Sequence, residues 1–205
     1  MSFKPTILFL FYFCCVTKNL CLAVSSECII EGCLCEYDTA LKKYDIECEA
    51  DGDVDETTPF FPARLNLNES SKYLNVNEFR IEYFCFTEIP DDIFENFSIN
   101  KLLFVENEVN KISKYDFRGL KSLSSLTLIE INLEIIEKDC FSWFNNTLLE
   151  LDLTRSNLSD STFELIANEF LYTKNLRSLT LKSNSISFLK AGLFSQITKT
   201  KLEYV

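Results

Sequence analysis

The sequence predicts an α/β solenoid, a right-handed horseshoe with a parallel sheet on its concave side and irregular or short helical arms on its convex side. Three observations lead to this prediction. One pattern of apolar residues recurs along most of the chain, with a period of roughly 25 residues. Each copy contains a short alternating stretch typical of a strand. A cluster of cysteines precedes the first copy, where a solenoid must cover its apolar end.

The repeating pattern is clearest between Ile99 and Leu120, where the apolar residues fit neither a helix stripe nor simple alternation. With Ile99 as position 1, the apolar slots fall at positions 1, 4, 6, 11, 14, 19 and 22 and are filled by Ile99, Leu102, Phe104, Val109, Ile112, Phe117 and Leu120. The frame starts again at Val76, Leu123, Leu148 and Leu176. Five copies in phase favour a solenoid over chance spacing in a generic β-rich domain.

This frame resembles the leucine-rich repeat, L-x-x-L-x-L-x-x-N-x-L, from about Val76 to Val205. In that family the asparagine at position 9 satisfies backbone groups of the inner turn. Position 9 is here occupied by Phe84, Asn107, Ile131, Ser156 and Asn184. The turns that carry Phe84 and Ile131 must therefore find other partners for their backbone groups.

The fourth repeat is longer than the others. Its extra residues place Phe163, Ile166 and Phe170 at helical spacing, behind the capping-box pattern STFE that begins at Ser161. We expect a helix at about Thr162 to Leu171, on the convex side.

The first residues have the features of a secretory leader. Lys4 supplies a positive start, Ile7 to Val16 form an apolar run too short to span a bilayer, and Cys21 to Ala23 offer a cleavage site. A transmembrane anchor is the alternative interpretation of this run. We expect a leader at residues 1–23, a cysteine-rich cap at 24–58 and repeats at 59–205, with the sixth repeat truncated. The chain is then secreted, or held at the cell surface by a segment beyond Val205.

Four cysteines with the spacing C-x4-C-x-C-x12-C stand directly before the repeats, at Cys28, Cys33, Cys35 and Cys48. Their spacing alone allows three disulfide connectivities. A four-thiolate zinc site is the rival interpretation, although the paired C-x-x-C knuckles are missing. The cluster resembles the N-terminal cap of extracellular leucine-rich repeat proteins, and that resemblance implies the pairs Cys28–Cys35 and Cys33–Cys48.

Two further cysteines, Cys85 and Cys140, are left over after the leader is removed. Their places in repeats one and three make direct pairing with each other awkward. Free buried thiols and partners outside this chain both stay open.

Four Asn-x-Ser/Thr sequons agree with passage through the secretory pathway, at Asn68, Asn96, Asn145 and Asn157. We expect these asparagines to be glycosylation sites on exposed loops.

Composition and motifs argue against catalysis. The chain has no histidine, no G-x-S-x-G elbow and no glycine loop for phosphate. The stretch DGDVDE from Asp51 lacks the glycine and closing glutamate of a calcium loop. We therefore expect no enzyme activity, no cofactor, no metal and no small-molecule substrate. The formal charge of −11 changes to −13 when Lys4 and Lys18 leave with the leader, which disfavours nucleic acid and anionic membranes as partners.

In this type of repeat, positions 4 and 6 point into the core, whereas positions 3, 5, 7 and 8 line the concave sheet. We expect a protein or peptide partner to bind there, at Arg80, Glu82, Tyr83, Leu103, Val105, Glu106, Ile129, Glu130, Asp152 and Arg155. Leu103, Val105 and Ile129 would form an apolar patch on an open face, and such patches rimmed by charge mark interaction sites. Scattered surface apolar residues are the plain alternative.

The predicted function is extracellular protein–protein recognition without catalysis. The phrase TEIPDDIFENF, from Thr87 to Phe97, and the irregular asparagines resemble arthropod secreted leucine-rich repeat proteins. These include the non-catalytic subunit of shrimp luciferin monooxygenase and, more distantly, the Slit, chaoptin and Toll ectodomains. The Toll and chaoptin likeness implies the alternative function, a fragment of a receptor or adhesion ectodomain. KLEYV, at Lys201 to Val205, matches the start of a strand, so we expect the repeats to continue in a longer protein.

Overall fold

In the computed structural model, the described residues are 30, 33–49, 73–84, 86–91, 93–169, 175–188 and 191–192, together with the backbone of 201–202. The predicted leader, the acidic stretch at 51–56, and the residues Cys28, Asn68 and Cys85 lie outside them.

One eight-stranded sheet runs through the described chain. In spatial order its strands are β1 Cys33–Asp38, β2 Lys43–Glu49, β3 Leu74–Glu82, β4 Phe97–Val105, β6 Ser125–Ile129, β8 Glu150–Asp152, β9 Ser178–Thr180 and β10 Lys201–Leu202. β1 and β2 form an antiparallel hairpin, and every later pair is parallel. Each predicted repeat thus contributes one parallel strand, and β10 adds the start of the sixth.

The cysteine cap is the hairpin that opens this sheet. The Asp38 carboxylate accepts the backbone N–H groups of Ala40 and Leu41 at 2.7 and 2.9 Å, which fixes the hairpin turn. Cys33 and Cys48 face each other across the hairpin and are joined by a disulfide, the pairing that the resemblance implied for them. Cys35 is also disulfide-bonded; its implied partner, Cys28, lies outside the described residues.

The return arms carry little regular structure. β5, Lys111–Ile112, pairs in parallel with β7, Ile135–Ile136. Among the described residues a 3₁₀ turn spans Ser142–Phe144, and a helix, α1, spans Asp160–Glu169 and contacts β7.

The core lies between the sheet and these arms. Most of the described apolar slots of the repeat frame are buried, as Leu102, Phe104, Leu126 and Leu128 show with at most 1% exposure; Phe86 and Ile186 are partly buried. Aromatic rings fill the space under the arms; the rings of Phe117 and Phe144 lie 5.6 Å apart, edge to face. Positions 4 and 6 therefore point inward, as expected.

Asn107 shows how position 9 supports the inner turns. Its side-chain oxygen accepts the Phe84 N–H at 3.0 Å, and its amide nitrogen donates to the Ile81 and Val105 carbonyl oxygens at 2.9 and 3.1 Å. The partners of a position-9 amide therefore lie mainly in the preceding repeat. The turn that carries Phe84 is thus bonded by the next repeat, and the Phe84 ring itself is buried.

The same arrangement recurs three repeats later. The Asn184 oxygen accepts N–H groups from Ser156 and Leu158, and its nitrogen donates to the Leu153 carbonyl. Ser156 substitutes for an asparagine with its hydroxyl, which donates to the Leu128 carbonyl at 2.6 Å. The turn that carries Ile131 is thus bonded by the next repeat, and the Ile131 side chain itself is buried.

Helix α1 begins earlier than its sequence pattern predicted. The hydroxyl of Ser159, not that of Ser161, accepts a backbone N–H of the first turn, from Thr162 at 3.2 Å. The cap therefore lies two residues before the one that the STFE pattern predicted. Phe163 and Ile166 are buried as expected, whereas residues 170 and 171 lie outside the described part of the chain.

Candidate partner-binding face

Strand register brings the predicted apolar residues together on the concave face. Val105 is the register partner of both Glu82 and Ile129, and Leu103 is the partner of Arg80 and Thr127. Adjacent strands lie about 4.8 Å apart, so these side chains are near neighbours. Leu103, Val105 and Ile129 are each half-buried. We call these three residues the apolar patch.

A second feature runs along the carboxyl ends of the strands. The residue at position 8 has a positive φ in all five repeats, between 53° and 64°. Each of the first four donates its backbone N–H to a carbonyl of the next repeat, as Glu106 does to Ile129 at 2.9 Å. We call this line the edge row; it comprises Tyr83, Glu106, Glu130, Arg155 and Ser183. Because none of these residue types favours a positive φ, their identities did not predict this geometry.

Several predicted binding residues are engaged in ion pairs. The Arg80 guanidinium lies 2.6 Å from the Glu82 carboxylate, and Glu82 is only 9% exposed. This contact raises the pKa of Arg80; partial burial opposes it, and the charges of Glu82, Glu78 and Glu47 add to it. Glu78 approaches Arg80 at 3.8 Å and Lys101 at 4.0 Å. The acidic rim at this end of the patch is therefore largely neutralised by Arg80.

At the other end of the patch, the predicted charged residues are also engaged in local contacts. Arg155 lies 2.5 Å from Glu130, its neighbour in the edge row. Asp152 accepts hydrogen bonds from the backbone N–H and the hydroxyl of Thr154, at 2.9 and 2.6 Å. Asp152 and Arg155 thus hold local structure together, in addition to facing the concave side.

Among the predicted polar and charged residues, Tyr83 and Glu106 are the two whose side chains stay available to a partner. Tyr83 is 43% exposed, and Glu106 is exposed as well. Within the described part of the chain, Glu106 has no cation as an ion-pair partner. The Glu106 charge is the largest cause that raises the pKa of Tyr83, followed by burial and by Glu82, Glu49 and Glu130. Tyr83 therefore stands in a negative electrostatic field.

A cleft of about 520 Å³ opens beside the edge row. Its wall includes the Glu130–Arg155 pair and the asparagines Asn110, Asn132 and Asn157. The Asn157 amide donates to the Asn132 side-chain oxygen at 2.7 Å. The cleft widens the surface that a partner at the concave face could contact.

The predicted glycosylation sites differ in accessibility. Asn96 and Asn157 are exposed, and Asn145 is half-buried after the 3₁₀ turn. Nothing in the structure tests whether sugars are attached, so glycosylation stays a prediction.

Three buried ionisable groups lie away from this face. Asp116 and Cys140 have at most 1% exposure, and Glu169 has 4%. Burial raises the pKa of Asp116 to about 7, and it also raises the pKa of Glu169 and of the Cys140 thiol. Cys140 is a free thiol. The sequence analysis singled out neither Asp116 nor Glu169, because their burial comes from tertiary packing.

The described residues contain no group of three or more histidine, cysteine, aspartate or glutamate side chains arranged to hold a metal ion. In the same residues, no helix has the length and apolar character needed to cross a membrane.

Comparison with known proteins shows the fold and nothing finer. No family model and no curated protein matches the sequence. The chain is similar in structure to human 5T4 (Wnt-activated inhibitory factor 1, trophoblast glycoprotein), with a TM-score of 0.56 and 18% identity. The match covers 88% of this chain and 65% of the 5T4 chain, so this chain spans less than two-thirds of that structure. With the parallel sheet and the N-terminal disulfide, this likeness confirms the leucine-rich repeat fold. The resemblance to arthropod secreted proteins stays a prediction.

Proposed function

We propose that this chain is an extracellular recognition module that binds a protein partner on the concave face of its repeats, without catalysis of its own. One observation carries the proposal: Leu103, Val105 and Ile129 lie side by side on an open sheet face. The leucine-rich repeat fold supports it, because stacked repeats leave an extended concave surface suited to a protein ligand.

The apolar patch is not required by the core. Positions 4 and 6 fill the interior, so a side chain at position 5 or 7 contacts only its neighbours on the sheet and the solvent. Polar residues occupy the equivalent slots in neighbouring repeats, as Thr127 does beside Leu103 in the same register row. Half-exposed leucine, valine and isoleucine at these slots therefore expose apolar surface that a partner would cover favourably.

Several features support the extracellular part of the proposal. Cys33–Cys48 is a disulfide, and disulfides persist in oxidising compartments. The leader at residues 1–23 and the exposed sequon asparagines Asn96 and Asn157 agree with secretion and glycosylation.

The test compares two variants of the full-length chain, expressed in a secretory host, on an array of purified extracellular proteins. The double variant Leu103→Thr/Ile129→Thr removes apolar area from the patch and keeps β-compatible side chains. Leu165→Gln is the matched control, because Leu165 is an exposed leucine on α1, away from the sheet. We expect a partner of the unmodified chain to bind the double variant about tenfold more weakly and the control equally well. Thermal unfolding of all three chains controls for stability.

Equal binding of a partner to the unmodified chain and the double variant would argue against the concave face. So would an equal loss of binding in Leu165→Gln.

A further inference from the structure

The charges along the edge row are not balanced. Glu130 has Arg155 as its partner at 2.5 Å, and Arg80 is occupied by Glu82 at 2.6 Å. In the edge row Glu106 lies between Tyr83 and Glu130, and within the described part of the chain no cation pairs with it. An uncompensated carboxylate at the centre of a proposed interface is a place where a partner can supply the missing positive charge.

Tyr83 is the neighbour of Glu106 in the row and is held in place by its backbone. Its φ is 64°, and its N–H donates to the Val105 carbonyl at 3.2 Å. Tyr83 is 43% exposed and directly follows β3, whose last residue pairs with Val105 of the apolar patch. An accessible tyrosine ring beside a carboxylate has the composition of a cation-binding site, because the ring face attracts ammonium and guanidinium groups.

We infer that Tyr83 and Glu106 form a subsite for a lysine or arginine side chain of the partner protein, an inference that rests on the proposed function. The aliphatic stem of that side chain would lie over the patch at Val105, with its charged end between the tyrosine ring and the Glu106 carboxylate. This division suits long cationic side chains, which bury their methylene groups and keep the charge at a polar rim.

The surrounding field selects a cation over an anion. The carboxylates that influence Tyr83 come from four neighbouring strands or their ends: Glu49, Glu82, Glu106 and Glu130. The whole chain carries a formal charge of −11. An acidic partner residue at this position would be repelled, and a neutral one would leave Glu106 without a partner.

The experiment uses three synthetic peptides that differ only in a central residue, lysine, glutamine or glutamate, between identical apolar flanks. Binding to the full chain is measured by fluorescence anisotropy at low and at high salt. We expect the lysine peptide to bind about fivefold more tightly than the glutamine peptide, and this preference to shrink at high salt. The glutamate peptide should bind most weakly.

Three variants assign the preference to the subsite. Glu106→Gln should abolish the preference for lysine over glutamine, whereas Glu95→Gln, at an exposed glutamate before the amino end of β4 and outside the cleft, should keep it. Glu106→Lys should reverse the order and favour the glutamate peptide. Tyr83→Leu should weaken binding of the lysine peptide more than that of the glutamine peptide. The inference is overturned if lysine and glutamine peptides bind the unmodified chain equally, if Glu106→Gln and Glu95→Gln behave alike, or if no peptide binds at millimolar concentration.

The same peptides separate this inference from the proposed function. Leu103→Thr/Ile129→Thr should weaken all three peptides by a similar factor and leave the lysine preference in place. If that variant binds every peptide as the unmodified chain does, the apolar patch is not the recognition surface, even where the lysine preference persists. If the double variant loses binding but the lysine and glutamine peptides bind equally, the result supports the proposed function and refutes the cationic subsite.

Discussion

Asp116 should make the stability of this protein depend on pH in a direction opposite to that of most surface carboxylates. Its side chain is 1% exposed and accepts the Ser113 N–H at 2.7 Å. Burial, opposed by this hydrogen bond, raises its pKa to about 7, with further contributions from Asp91, Glu137 and the opposing Lys111. The informative substitution is Asp116→Asn, which keeps an acceptor oxygen for Ser113 and removes the titration.

The sign follows from proton binding in the two states. Between pH 4 and pH 7 the folded protein holds a proton on Asp116 that the unfolded chain has released. The free energy of unfolding therefore falls as pH rises through this window. The stabilising contribution is complete below the unfolded pKa of about 4 and is lost by about pH 8. A difference of about three pKa units corresponds to about 4 kcal/mol across the window.

The assay is urea unfolding of the unmodified chain and of Asp116→Asn at half-unit steps from pH 4 to pH 8. The difference in unfolding free energy between the two should change by about 4 kcal/mol in favour of Asp116→Asn as pH rises. Glu108→Gln, at an exposed position, should run parallel to the unmodified chain. Curves for Asp116→Asn and the unmodified chain that stay parallel within about 1 kcal/mol would refute the reasoning. A smaller slope that remains in Asp116→Asn should come from Glu169, whose pKa is raised by the same cause.

Two further predictions concern the inner turns. Asn107→Ala should cost about 3 kcal/mol in urea unfolding, because it leaves the buried Phe84 N–H and Ile81 carbonyl without partners; a cost below about 1 kcal/mol would contradict this. At Ser183, where φ is 56°, Val should lower the unfolding free energy by at least about 1 kcal/mol, since a β-branched side chain fits this conformation poorly. Gly at the same position should be neutral or stabilising by about 0.5 kcal/mol, and destabilisation by both substitutions would show that the conformation is not the cause.

The repeat frame predicted the parts of the fold that depend on side-chain alternation. Leu102 and Phe104 are buried and Leu103 is half-exposed because strand side chains alternate, and alternation can be read from the sequence. The predicted apolar patch assembled for the same reason: identical positions in successive repeats become register partners. Position 9 was harder to interpret, because its side chain serves the turn of the preceding repeat.

What sequence reasoning missed depends on backbone geometry and tertiary burial. The positive φ of the edge row is imposed by the return of the chain at each repeat, and Glu106 or Arg155 carries no local sign of it. Ion pairing depended on which charges become neighbours, so Glu82 was predicted as an open rim residue although it is buried against Arg80. Asp116 looks like any other loop aspartate in the sequence, because its burial depends on packing of the arms.

The same geometry lets the binding role of Glu106 be tested apart from stability. Its neighbour Asn107 directs its amide into buried backbone, so loss of that side chain would disturb the turn that orients the edge row. Glu106 instead engages the next repeat through its backbone, whose N–H bond to Ile129 does not involve the carboxylate. Glu106→Gln should therefore leave thermal unfolding unchanged while it removes the lysine preference, and a binding loss in Asn107→Ala would say nothing specific about charge. A change in unfolding temperature for Glu106→Gln comparable to that of Asn107→Ala would mean that the carboxylate has a structural role, and the peptide results would then have to be reinterpreted.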